Sequence, residues 1–226
     1  MTKTLAAPLA LALCLAASAD DGAEMIRRVE KNFSKAVQWL KMTVSDEEGH
    51  EAPGVCSGPA VRQGNRVILV SPDVEGKIAD PRILMPDGKE HPAEILAHDA
   101  DLGLMFLALK EEVKGFPALE PGKARKLETG ERVLLVDRRA QGAPEETTCR
   151  LARITCVLTA PRTAYLYTGI SPQQAGALVV TPAGEVVGLV GILKEKTEDG
   201  DAAFAAIIPI QDLLDTLSTL EKGADK

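Results

Sequence analysis

The chain has 226 residues, with 26 Lys and Arg against 33 Asp and Glu, and a net charge of −7. That length allows one or two domains with a sizeable core. The mildly acidic balance, with no like-charge run beyond three residues, excludes a basic nucleic-acid-binding face and a charged tail. Aromatic residues make up only 3%, and the apolar 45% is mostly Ala, Leu and Val, so the core is expected to be aliphatic.

Residues 1–19 read as a signal peptide. Lys3 supplies the positive start, Leu5 to Ala17 the apolar stretch, and Ala17-Ser18-Ala19 the small-residue cleavage site before Asp20. The apolar run is short of the ~20 residues that a spanning helix needs. A lipid anchor at Cys14 is disfavoured by bulky Leu13 just before it. The expectation is an exported protein, periplasmic or extracellular, with no membrane attachment after cleavage. Cys56, Cys149 and Cys156 remain, an odd number for an oxidising compartment. Seven residues apart on one strand, Cys149 and Cys156 would sit ~23 Å apart, beyond disulfide reach. Buried free thiols are expected at all three. Three scattered histidines lack ligand spacing, so no metal and no cofactor is expected.

Along the mature chain, Met25, Ile26, Val29 and Phe33 recur at helical spacing over residues 22–34. The period changes to two after Val37, where Leu40, Met42 and Val44 alternate with Lys41 and Thr43. Short apolar runs follow at Val67–Val70, Arg82–Met85, Ala93–Ala97 and Leu102–Leu109, with Asp87-Gly88 as a hairpin turn. Lys110–Leu127 is rich in Lys, Glu, Pro and Gly and reads as a connector. Strand rhythm then resumes at Arg132–Val136, Arg150–Leu158, Ala164–Tyr167, Leu178–Val180 and Glu185–Ile192. The last two are joined by Thr181-Pro182-Ala183-Gly184. Gln211–Leu220 carries the apolar stripe Leu213, Leu214, Leu217 and Leu220 of a packing helix. Two groups of short strands around one connector predict two small barrels or sandwiches.

Three segments narrow that choice. Ile170–Leu189 reads ISPQQAGALVVTPAGEVVGL, Asp99–Leu109 reads DADLGLMFLAL, and Gly54–Val61 is followed by Arg66-Val-Ile-Leu-Val and Val74-Glu75-Gly76. With Phe204-Ala205 and Ile208-Pro209 before the last helix, these resemble, in order, the characteristic segments of HtrA/Deg-type trypsin-like serine peptidases. The resemblance spans about residues 35–220. It implies an all-β fold of two packed six-stranded β-barrels, trypsin/chymotrypsin-like, with short N-terminal and C-terminal helices. Barrel one would cover about 35–110, the connector 111–128, and barrel two with the terminal helix about 129–222, all within 20–226. The family's PDZ domain is not expected, since the chain ends at Lys226.

A serine peptidase of this type needs an alcohol nucleophile, an imidazole base and a carboxylate that orients it. The resemblance puts the nucleophile position on Ala175, the histidine position on Pro72 or Asp73, and the aspartate position on Asp101. The family's oxyanion loop falls on Gln173, Gln174, Gly176 and Ala177, where Gln173 replaces a glycine and Ala177-Leu178 replaces Gly-Pro. Only Asp101 keeps its residue type, and it is expected to bond backbone N–H groups at a strand start. His98 is expected to face solvent. Ser57 and Ser71 are expected to bond local backbone, Ser171 to lie outside the elbow, and Cys156 to be buried.

From these positions the expectation is a non-catalytic homologue, not an enzyme, that binds peptide or protein segments or acts as a structural partner. The alternative is an active serine endopeptidase with an unrecognised nucleophile.

Overall fold

From Val37 onward the described residues form twelve strands. In chain order they are β1 (Val37–Ser45), β2 (Glu51–Gln63), β3 (Arg66–Pro72), β4 (Lys77–Leu84), β5 (Glu90–Asp99) and β6 (Leu104–Leu109). Then follow β7 (Arg132–Arg138), β8 (Thr147–Leu158), β9 (Ala164–Tyr167), β10 (Leu178–Val180), β11 (Val186–Thr197) and β12 (Gly200–Pro209). The protein is described as a computed structural model over residues 22–85, 87–120, 125–138, 147–160, 162–197 and 200–224. The expected signal peptide, residues 1–19, and Cys14 lie outside the described residues.

A sheet with one apolar face buries it completely by closing on itself. Both groups of strands do so, as closed barrels ordered β1-β2-β3-β6-β5-β4 and β10-β11-β12-β9-β8-β7. All the strand pairings are antiparallel. The all-β, two-barrel expectation is therefore met. The hairpin at Asp87-Gly88 pairs Leu84 with Glu90, and Thr181–Gly184 closes through Gly184 N–H donating to the Thr181 carbonyl at 2.9 Å.

Residues 22–33 form helix α1. Its Met25, Ile26, Val29 and Phe33 pack on Leu134, Val136, Leu178 and Val180 of barrel two. Helix α2 (Ile210–Ala224) brings Leu213 and Leu217 into a cluster with Phe106 of barrel one and Leu189 and Ile208 of barrel two. This aliphatic seam holds the barrels together. The side chain of Leu220, the fourth residue of the expected stripe, lies outside the described residues.

Sequence periodicity misses most of β2, which contains Pro53, Gly54, Gly58 and Pro59. A Cβ at Gly58 would run into the Val70 carbonyl of β3, so glycine is what lets the two strands cross so closely.

Candidate functional site

Where the barrels meet, the mid-strand residues of β2 and β7 face the loop between β9 and β10 across a cleft of about 510 Å³. Trp39, Cys56, Ser57 and Pro72 form the barrel-one wall. Leu135, Asp137, Thr148 and Arg150 form the barrel-two wall, and residues 171–175 and Ala177 close one side.

The closing loop folds as a single 3-10 turn, Pro172–Gln174. Proline at its first position suits a turn whose first N–H would lack a partner. Ser171 caps it with its side chain accepting from Gln173 N–H at 3.3 Å. Buried Gln174 reaches back, its Oε1 accepting from Ser171 N–H at 3.1 Å and from the Tyr167 hydroxyl at 2.9 Å. Burial pushes the Tyr167 phenol up to about 12, so it stays a donor. The N–H groups of Gln174, Ala175, Gly176 and Ala177 donate to the carbonyls of Ser171, Pro172, Val190 and Gln174 at 2.7–3.0 Å. In this loop conformation they are committed to the protein, and none is left over as an oxyanion donor.

The expected triad positions separate in space. Ala175 and Pro72 both line the cleft. Gly176 lies beneath it against Ser57 and Pro72. Asp73 turns to His98, whose Nδ1 lies 2.8 Å from its Oδ1. His98 is exposed to solvent, as expected, and is also partnered by Asp73.

Asp101 stands apart, with its side chain 84% exposed and an Arg162 nitrogen 3.6 Å away. The role expected of it belongs to Asp99, whose Oδ1 accepts the N–H groups of Asp101 and Leu102 at 3.1 and 3.0 Å.

One other reading changes, that of Ser57. Ser57 sits within β2, and its hydroxyl reaches the other barrel, donating to the Asp137 carboxylate at 2.8 Å. No sequence signal pairs residues 80 apart. Ser71 does bond local backbone, at the Pro72 carbonyl 3.0 Å away, and it also lies 3.0 Å from the Cys56 sulfur.

The three thiols are free, but Cys156 is exposed rather than buried, on the outer face of β8, and Cys56 and Cys149 are half-buried. Burial pushes Cys56 and Cys149 up to about 11 from the ordinary 9.0; the Ser71 hydroxyl partly offsets this at Cys56, and the Glu30 charge adds to it at Cys149. Because the folded state holds these protons more tightly, the contribution to stability is full below about pH 9 and fades as pH rises through 11. At pH 9 only about 1% of such a thiol is thiolate. Iodoacetamide at pH 8.5 is therefore expected to modify Cys156 first, with Cys56 and Cys149 lagging by roughly tenfold or more, read by peptide mass spectrometry. Equal rates at all three would contradict the burial of the other two.

Among the described residues, Asp46, Glu48 and His50 could converge on a cation. They are exposed turn residues already bonded to one another: His50 Nδ1 lies 3.1 Å from Asp46 Oδ2.

Residues 56–189 match the trypsin-like peptidase domain profile. The chain belongs to this family. Its fold is similar to that of an HtrA-type protease, AlgW, solved with a decapeptide. The TM-score is 0.62 at 17% sequence identity, covering 87% of this chain and 67% of that one. None of the curated proteins compared matches the chain.

These findings correct the expectation that the protein is not an enzyme, because the family is one of peptidases and points to a protease. That expectation equated activity with side chains at three inherited positions. The cleft itself persists, and Ser57 and Ser171 bring hydroxyls into its lining.

Proposed function

We propose that this trypsin-like peptidase family protein takes an extended polypeptide segment into the cleft between its barrels and hydrolyses it there. The open cleft carries the reading. About 510 Å³ of space with walls from both barrels suits a chain segment laid against strand edges, where main-chain hydrogen bonds give affinity. A decapeptide in a protein of similar fold is consistent with that ligand class. Ala175 offers only a methyl group, so the nucleophile comes from elsewhere in the cleft. The reading includes export, on the strength of the pattern in residues 1–19.

The test uses protein recovered after export, whose first residue is expected to be Asp20, with denatured casein and a library of extended peptides. Saturable capture and cleavage are expected. Ala175→Trp should reduce both by roughly tenfold or more, because residue 175 is half-buried at the cleft wall and an indole there occupies the peptide's space. No capture by the unsubstituted protein, or capture undiminished by the tryptophan, overturns the reading.

A further inference from the structure

We propose that Ser57 is the nucleophile of this cleft and Asp137 its proton acceptor, an assignment that rests on the peptidase reading above. The two side chains come from different barrels, β2 and β7, and both line the cleft. Ser57 is 6% and Asp137 9% exposed, and the Ser57 hydroxyl donates to Asp137 Oδ1 at 2.8 Å. A strand serine ordinarily bonds nearby backbone, whereas this one is aimed at a carboxylate 80 residues away. The pair also sits beside the loop that carries position 175, since a Cβ on Gly176 would run into the Ser57 carbonyl.

Two other nucleophiles of the cleft, Ser171 and Cys56, are worse placed. The Ser171 hydroxyl caps the 3-10 turn. The Cys56 sulfur is bonded to Ser71 and held as thiol by burial.

In the reaction, Ser57 Oγ bonds to the peptide carbonyl carbon while its proton passes to Asp137. The C=O π pair moves onto oxygen, where the side-chain N–H groups of Arg150 and Gln173 in the same cleft can meet it. Collapse re-forms the carbonyl and breaks the C–N bond, and the leaving nitrogen takes the proton from Asp137. Water then attacks the ester on Ser57, giving its proton to Asp137. The second collapse expels Ser57 Oγ, which recovers that proton. The sum is peptide plus water to carboxylic acid plus amine, with both side chains restored.

The unsubstituted protein treated with a fluorophosphonate and digested is expected to carry the label on Ser57, a measurement that needs no variant to fold. Ser57→Ala should lower cleavage by about 10³-fold or more while peptide capture stays within about twofold. Asp137→Asn should lower kcat and remove the acidic limb of the pH–rate profile, which a carboxylate serving only as a tie between barrels would not do. Labelling on another serine, or cleavage by Ser57→Ala at the unsubstituted rate, overturns the assignment. Capture without labelling overturns the assignment and leaves the cleft reading standing, whereas absence of capture removes both.

Discussion

Gly176→Ala is expected to lower the unfolding free energy by about 2–4 kcal/mol. The corresponding fall in Tm is roughly 5–15 °C for a chain of this size. Two penalties combine. Gly176 has φ +85°, a conformation that side chains resist. The added Cβ would also meet the Ser57 carbonyl of β2 and lie 2.9 Å from Pro72 Cδ. These are backbone and ring atoms, not the end of a flexible side chain, so the loop itself must move. Gly64→Ala serves as the control. Gly64 also has positive φ, at +57°, but a Cβ there meets nothing within 4 Å. That change should cost only about 1 kcal/mol. The difference between the two variants, read by denaturant titration, isolates the close packing of the cleft loop on barrel one. Equal costs would show that the loop is not wedged against β2. Movement of the loop also shifts Ala175 and Gln173, so peptide capture by Gly176→Ala should weaken with its stability.

Phe106→Ala is expected to cost about 3–5 kcal/mol, the loss of a buried aromatic plus the cavity it leaves. Phe106 is fully buried in the seam where barrel one meets Leu189, Ile208, Leu213 and Leu217. With few aromatic residues in the chain, no neighbouring ring can fill the space. Because the seam is shared, calorimetry should show one transition at a lower temperature, with both barrels melting together. Two separated transitions would show that the barrels unfold independently and that the seam contributes little coupling.

Local pattern carried far in this chain and then stopped at identifiable residues. The α1 stripe of Met25, Ile26, Val29 and Phe33 packs as its spacing predicts, and the turns at Asp87-Gly88 and Thr181–Gly184 join the strands they punctuate. These features depend on residues adjacent in sequence, where the periods of helix and strand act. The absence of serine at position 175 and of histidine at 72 and 73 is equally a matter of sequence. What those absences imply for activity is not, because a nucleophile need not occupy an inherited position.

Tertiary structure decided the remainder. Strand β2 survives two prolines and two glycines because β1 and β3 flank it in a closed barrel, and closure outweighs its poor local propensity. Asp99 rather than Asp101 caps the β5–β6 turn because the chain folds back there. Cys156 is exposed because the β8–β9 register shifts between Ile154 and Cys156. The meeting of Ser57 with Asp137 required two barrels to form and then to pack. Length, composition and period thus determined two groups of strands, and the order of the resembling segments carried the family likeness. Which side chains share the cleft was set by barrel closure and by the aliphatic seam, contacts between residues far apart that no local period encodes.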